Sequence, residues 1–292
     1  MTYVGLRPGS AAYGRSRRLG TLLLVVPLAY TMLPLVYLLI ASTKTQSDLF
    51  ETFGFAFGHS NALWQNIRTV FTFQDGIFGR WLLNTALYSG VSAVGATALC
   101  SAAGYAFSRY RFRGRGVLFA IVLGAVMIPQ TALTIPIFLL LSKVGMVDTP
   151  LAVILPSLVF PLGVYLMRVY VDQAVPADLL DAARLDGAGE FRVFATIAFP
   201  LITPAAVTVL LLSFVATWNN YFLPLVMLST PSLYPATVGL ASWYSTASAG
   251  GGSQALFPLV MTGSLVAILP VLLAFLGLQR FWRGGLASGG VK

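Results

Sequence analysis

Six long apolar runs dominate this sequence, at roughly 20–42, 82–107, 116–141, 150–168, 201–228 and 256–279. A helix needs about 20 mainly apolar residues to cross a hydrocarbon core, so each run is the length of a membrane span. Lipid offers no partner for free backbone N–H and C=O groups, and a spanning segment satisfies them internally as a helix or laterally in a closed barrel. A barrel requires short strands of alternating polarity. Stretches such as Val207-Thr208-Val209-Leu210-Leu211-Leu212 do not alternate. Composition agrees: 57% of the 292 residues are hydrophobic, 9% are charged and the mean hydropathy is +0.82. A soluble domain carries about a quarter charged residues. The expected fold class is therefore all-α, a polytopic membrane protein with six transmembrane helices.

The basic residues set the expected orientation, because Lys and Arg accumulate on the cytoplasmic side. Fourteen of the 18 fall on one side of the six runs: Arg7, Arg15, Arg17 and Arg18; Arg109, Arg111, Arg113 and Arg115; Arg168, Arg184 and Arg192; Arg280, Arg283 and Lys292. Only Lys44, Arg68, Arg80 and Lys143 fall on the other. Both termini and the segment around Asp186 are thus expected inside, with a cytoplasmic tail over 1–18, a membrane domain over 19–284 containing a cytoplasmic loop at 169–200, and a second tail over 285–292. The formal +9 charge reads as a topology signal aided by anionic lipid. Arginines divided among separate membrane edges do not make a nucleic-acid surface. Arg17-Arg18 before an apolar run has the look of a signal peptide, but the run to Ile40 is too long for one and lacks a small-residue cleavage site. It is expected to be an uncleaved first span. Cys100 is the only cysteine, which excludes an intrachain disulfide.

No Asp, Glu, Lys, Arg or His lies in the middle of any run. Proton relays and ion-coupled carriers place such groups there despite their cost. A phosphate-binding loop would end in Lys followed by Ser or Thr after a glycine-rich turn. Lys44-Thr45 has no such turn before it. Metal-ligand spacing and a Ser-His-Asp or Cys-His set are missing as well. A gradient-driven carrier and an intramembrane enzyme are both poorly served, and the chain carries no visible energy source of its own.

One polar segment between the fourth and fifth runs stands out. Pro176 suits the first turn of a helix, and Asp178 favours its positive dipole end. Gly187 supplies a left-handed stop, and Glu190 begins a second helix. Phe191, Phe194 and Ile197 follow on roughly one face, with Pro200 and Pro204 marking entry into the next span. The spacing predicts helix, tight turn, helix at the cytoplasmic surface. Ala182 and Ala183 allow close approach by a partner, and Asp181 and Asp186 offer charge-assisted acceptors to its Arg or Lys. A solvated loop with ordinary caps fits the same residues.

The order Asp181-Ala182-Ala183, three residues, Gly187, nine residues, Ile197, two residues, Pro200 resembles the EAA loop of ABC importer permeases, written Glu-Ala-Ala, three residues, Gly, nine residues, Ile-x-Leu-Pro. Asp181 stands for the Glu and Phe199 for the Leu, while Asp186-Gly187-Ala188 matches the family pattern. The final Gly285 to Lys292 stretch and Trp218-Asn219-Asn220 are similar to the maltose-type, carbohydrate-uptake branch. The likeness covers about residues 15–292. It implies a non-catalytic subunit in a bacterial or archaeal plasma membrane. Its partners would be a second permease, two cytosolic ATPase subunits that bind ATP and Mg, and an external solute-binding protein. No cofactor is implied in this chain. Asp181, Ala182, Ala183, Arg184, Asp186, Gly187, Ala188, Phe191 and Phe194 would form the ATPase-coupling segment. Ser288, Gly289, Gly290, Val291 and Lys292 would either reach toward the nucleotide-binding subunits or fray.

The resemblance further implies a di- or oligosaccharide as solute, with polar glycerophosphate diesters also carried in the family. Uncharged pathway candidates are Asn84, Gln130, Trp218, Asn219, Asn220 and Tyr221, the amides for hydroxyls and the rings for sugar faces. Packing and interhelical hydrogen bonds are the competing roles, above all for Asn220. Two segments on the opposite side, 45–81 and Ser242–Gln254 with Gly250-Gly251-Gly252, suit reception of a solute-binding protein, and the glycine run suits a flexible linker equally.

Overall fold

The computed structural model describes residues 10–250 and 256–287. Among these residues every regular element is helical. The first half comprises α1 (Ser10–Ser42), α2 (Gln46–Glu51), α3 (Leu63–Thr72), α4 (Ile77–Arg109), α5 (Arg115–Val126), α6 (Gln130–Lys143) and α7 (Pro150–Ser157). The second half comprises α8 (Pro161–Ala174), α9 (Ala177–Leu185), α10 (Glu190–Val193), α11 (Phe199–Trp218), α12 (Phe222–Met227), α13 (Ala236–Ala249) and α14 (Phe257–Ala287). Five stretches are long and apolar enough to cross a membrane: Leu23–Ser42, Leu63–Arg109, Pro150–Ala174, Glu190–Trp218 and Phe257–Gln279. The α5–α6 pair, bent by 107°, makes a sixth if counted as one span. The all-α polytopic class expected from the six runs holds.

The boundaries are where the expectation needs correction, and prolines are the reason. The third run is two helices. Pro129 precedes α6 as its cap, has no N–H to return to the carbonyl of Ala125, and disfavours helical backbone at Ile128. Ile128 N–H takes the Ala125 carbonyl instead, at 3.3 Å. Pro136 lies inside α6. The fourth run breaks after Ser157 and resumes at Pro161, with Phe160 extended at ψ 80° before the proline, and continues to Ala174 instead of stopping near 168. The fifth run stops at Trp218. Pro224 has no N–H for the Asn220 carbonyl four residues back, and that carbonyl accepts the Thr237 hydroxyl at 2.9 Å. The second run begins earlier than 82: α4 starts at Ile77, after Gln74, Asp75 and Gly76 at φ 48°, 58° and 75° reverse the chain from α3. Much of 45–81 is therefore folded helix.

Helix α4 threads three packing centres. At one end Cys100 and Tyr105 meet Met167, Val171, Leu180, Val193, Ile202 and Val209 from α8 to α11. Near its middle Tyr88 meets Ala152, Val153, Leu223 and Met227. At the far end Phe78 and Trp81 meet Val70, Trp243 and Leu259. Glycine makes the closest approach possible. A Cβ on Gly104 would lie 2.5 Å from Met167 Cβ and 2.8 Å from the Arg168 nitrogen. By contrast, α5 buries no residue and α6 buries only Thr134, and α1 is exposed along most of Leu23 to Leu39.

The far end carries a buried polar clip. Lys44 is 1% exposed, and its Nζ donates to the Phe53 and Gly54 carbonyls at 2.9 and 3.4 Å. The Asn66 amide donates to the carbonyls of Ser42 and Lys44, both at 2.9 Å. Asp48 accepts from His59 Nδ1 at 2.7 Å and from the His59 backbone N–H at 3.3 Å. The His59 contact is the main cause holding the Asp48 carboxyl at about 2, and the Asp48 carboxylate raises the His59 imidazole above its ordinary 6.5. A raised histidine contributes stability that is fully present below pH 6.5 and is lost as pH rises through its folded value. Because His59 is the only histidine, selective ¹⁵N-histidine labelling isolates it. Its NMR titration midpoint is expected above 6.5, and Asp48→Asn is expected to bring the midpoint down to 6.5 or lower. An unshifted midpoint in the parent chain would exclude the pair.

Candidate functional site

The segment between α8 and α11 folds as helix, turn, helix. Pro176 (φ −65°, ψ 137°) sits one residue before α9 as its cap, not inside its first turn, and Asp178 occupies that turn. Leu180 from α9 and Val193 from α10 are fully buried in the first packing centre, which seats both helices on α8 and α11. The turn is closed by Gly187 at φ 82°. Gly187 N–H bonds the Arg184 carbonyl and Ala188 N–H bonds the Ala183 carbonyl, both at 3.0 Å. This nested pair of bonds satisfies the last carbonyls of α9 and requires a left-handed residue between them. Ala183 and Ala188 turn inward onto the core, and Ala182 stays exposed.

Arg184 locks the turn electrostatically. Its Nε and Nη2 donate to the two Glu190 carboxylate oxygens at 2.8 and 3.1 Å, and its Nη1 donates to Asp181 Oδ1 at 2.8 Å. A two-pronged guanidinium–carboxylate pair fixes direction as well as distance. Asp181, expected to offer its carboxylate to a partner, is already engaged within its own helix. The Tyr110 hydroxyl completes the set by donating to Glu190 Oε2 at 2.8 Å. Arg184 first, then Tyr110, holds the Glu190 carboxyl below its ordinary range. Burial, then the Glu190 contact, pushes the Tyr110 phenol up to about 12.

The lock is tied to the spans. Arg109, at the end of α4, donates to the Val171 and Val175 carbonyls at the C-terminus of α8, where a cation meets the negative dipole end. Ser108 donates to Asp172 Oδ1. Tyr105 packs at 5.7 Å from Tyr110 and 5.1 Å from Phe194, centroid to centroid. Tyr110 was not singled out from the sequence, and Glu190 and Arg109 were read there only as a helix start and a topology charge. The signal that was available is the arginine-rich break 109–115, which must abut the segment if both lie at one end of the bundle.

What remains exposed is apolar. Leu185 is 89% and Phe191 83% accessible, with the exposed acids Asp178 and Asp186 on the same short segment. The expectation that Phe191, Phe194 and Ile197 share a face is corrected. Phe194 and Ile197 pack on the core while Phe191 points away, because residues Phe194–Ala198 form a π-turn that resets the helical register ahead of Pro200. Leu185 carries no pattern that sequence reading would flag.

The pathway candidates fall at three places. Asn84 on α4 donates to the Ser232 and Tyr234 carbonyls at 2.9 and 3.1 Å. Gln130 opens α6 beside the 107° bend and is exposed. Trp218 ends α11, and Asn219, Asn220 and Tyr221 form the break in the fifth span. Trp218 is buried and its Nε1 donates to the Ala267 carbonyl at 3.2 Å. Asn220 Oδ1 caps α12 by accepting Leu223 N–H at 3.2 Å. Asn219 donates to the Val215 carbonyl at 2.9 Å yet stays exposed, as does Tyr221. The tail Ser288, Gly289, Gly290, Val291 and Lys292 lies outside the described residues, as do Gly251 and Gly252. Among the described residues no group of His, Cys, Asp and Glu is arranged to hold a metal.

This geometry can be set beside known proteins. Residues 96–282, from the middle of α4 through the locked turn into α14, match the family described as binding-protein-dependent transport system inner membrane component. The arabinooligosaccharides transport system permease protein AraQ of Halalkalibacterium halodurans is 34% identical over 260 residues, covering 89% of this chain and 90% of that protein. The melibiose/raffinose/stachyose import permease protein MelC of Bacillus subtilis is 29% identical over 288 residues, covering 97% and 99%. A chain from the crystal structure of a bacterial ABC transporter involved in the import of the acidic polysaccharide alginate has the same fold. It matches with a TM-score of 0.79 at 22% identity, over 94% of this chain and 99% of that one.

Proposed function

The chain belongs to the binding-protein-dependent inner membrane components of transport systems, and on that premise we propose that it is the permease subunit of an ATP-driven importer for a di- or oligosaccharide. In this reading it pairs with a second permease, two cytosolic ATPase subunits that bind ATP and Mg, and an external solute-binding protein. The arginine-rich end, including Arg109, Arg111, Arg113 and Arg115, faces the cytosol. The α9–α10 turn docks on one ATPase, and the tail from Ser288 to Lys292 reaches toward the same subunits.

The observation that carries this is the pair Leu185 and Phe191, bare on a turn that is otherwise braced throughout. Large apolar side chains of that accessibility on a charged segment mark a partner site. The Arg184–Glu190–Tyr110 lock and the Arg109 contacts to α8 make the turn stiff. Closure of the ATPase pair on nucleotide would therefore push α4, α8 and α11 as one packed unit and exchange two packings of the spans. Neutral solute fits a membrane interior without cations, with Asn219 and Tyr221 the pathway candidates left exposed. Relatives named for arabinooligosaccharides and for melibiose, raffinose and stachyose support the sugar class.

The test is reconstitution with the ATPase, permease and binding protein encoded beside it. ATP hydrolysis is expected to rise when binding protein and its sugar are added together. A Leu185→Cys thiol is expected to react with impermeant maleimide in inside-out vesicles only. Labelling of that thiol in intact right-side-out vesicles, or hydrolysis indifferent to the sugar, would overturn the reading.

A further inference from the structure

The far end of the chain carries an aromatic fringe. Phe50 in α2 and Phe53, Phe55 and Phe57 between α2 and α3 are all exposed, and Trp64, at the start of α3, is 78% accessible. Soluble surfaces rarely gather so many bare rings. Within 46–57 the only exposed charge is Glu51.

The depth of this fringe follows from its contacts. The apolar stretch of α1, Leu23–Ser42, is 20 residues, or about 30 Å at ~1.5 Å per residue, the thickness of the hydrocarbon core. Ser42 therefore ends near a membrane surface. Ala62 N–H bonds the Thr43 carbonyl at 2.8 Å, which holds the start of α3, and hence Trp64, at that level. The intervening chain then dips back. The Phe55 ring lies 5.8 Å from the Tyr37 ring, and a Cβ on Gly54 would lie 3.2 Å from Tyr37 Cε2. Tyr37 is about 7 Å inside the end of α1 at ~1.5 Å per residue. Phe50 packs at 5.3 Å on Phe257, in the first turn of α14. The fringe thus continues the bare apolar flank of α1 downward from the surface level.

A non-helical dip at that depth must satisfy its own backbone, because lipid will not. It does so with the buried clip. Lys44 Nζ donates to the carbonyls of Phe53 and Gly54, and Ala56 N–H bonds the Phe53 carbonyl at 2.9 Å. These contacts give a buried ammonium a task that requires no carboxylate.

We propose that residues 46–64 form a membrane-interface anchor, with the Phe50, Phe53, Phe55, Phe57 and Trp64 rings seated in the boundary between headgroups and acyl chains. Aromatic rings favour that boundary, and interfacial elements bury about 5–10 Å into it. The anchor fixes the height of α3 and of the far end of α4 in the bilayer. It does not depend on which leaflet is involved, nor on the transport reading.

Power-saturation EPR tests it on the full-length chain in nanodiscs of phosphatidylethanolamine and phosphatidylglycerol. Phe53→Cys and Phe57→Cys are spin-labelled one at a time, with the unsubstituted chain, whose Cys100 is buried, as the background. Oxygen collisions are expected to exceed those of nickel(II) ethylenediaminediacetate at both sites, at a depth of about 5–10 Å below the phosphates. A label at Phe191→Cys is expected to show the reverse. A nickel-dominated response at 53 and 57 equal to that at 191 would put the rings in water and overturn the anchor. Weak collisions with both reagents would put them against protein and overturn it as well.

Discussion

Replacing Leu185 and Phe191 together by Asp is expected to leave the chain folded and inserted but to weaken its hold on the ATPase subunit roughly thirty-fold, about 2 kcal/mol. Both side chains are almost fully accessible and make no contribution to the core, so the fold is expected to change by less than about 0.5 kcal/mol. Their exposure is what gives them an outsized role in contact with a partner, where large apolar anchors carry most of the energy. The measurement is titration of the detergent-solubilised permease with purified ATPase, with thermal unfolding of the isolated chain as the control. Equal affinity in the double variant would remove the docking surface from this turn. The Arg184→Gln variant separates surface from brace. It keeps both apolar side chains while breaking three ion-assisted bonds, and is expected to retain binding while losing stimulation of hydrolysis.

Gly104→Leu carries the largest expected effect on the fold itself. Its Cβ would meet Met167 Cβ at 2.5 Å and the backbone of Met167 and Arg168 within 3 Å, and main chain cannot swing aside as a side-chain tip can. Overpacking of this kind costs about 3 kcal/mol or more. It acts at the α4–α8 crossing, one turn from the Arg109 contacts, so α9 and α10 are expected to come loose with it. A monodisperse peak on size-exclusion chromatography is expected to be lost for Gly104→Leu. It is expected to persist for Gly124→Leu, since a Cβ at Gly124 meets nothing within 4 Å. Survival of both variants would mean that the two helices do not cross at Gly104.

The span count and the helix–turn–helix were legible because each rests on a strong local rule. A 20-residue apolar run has few alternatives in lipid, and Gly187 after a polar helix is a specific stop. What the sequence obscured were events inside apolar runs, where hydropathy is flat and only proline marks a break. Pro129, Pro161 and Pro224 lie at or just inside the start of a helix that follows a break, whereas Pro136, Pro156 and Pro204 lie within one. The residue type alone does not rank them. The neighbours do: the Asn220 carbonyl orphaned by Pro224 finds Thr237, 17 residues on in α13, a partner that the fold rather than the helix pattern brings to it. The same is true of the candidate site. Gly187 and Ala188 were readable, but the role of Arg184 depends on Glu190 lying across the turn and on Tyr110 from another span. Phe191 was placed with Phe194 and Ile197 on roughly one face and, with Phe194, in the coupling segment; it alone of the three points away from the core, ahead of the π-turn. Trp218 and Asn220 were pathway candidates, with packing and interhelical hydrogen bonding as the competing role, above all for Asn220. Both prove to be engaged in holding helix ends and helix pairs.

Helix α4 runs unbroken through all three packing centres, while the helices that pack along it are split: α7 from α8, α11 from α12, α13 from α14. A continuous rod resists bending far more than a segmented one, so the breaks at 158–160 and 219–221 are the places where shape can change at low cost. The chain is in effect an axle with jointed spokes, the axle reaching from the braced turn at one end to the polar clip at the other.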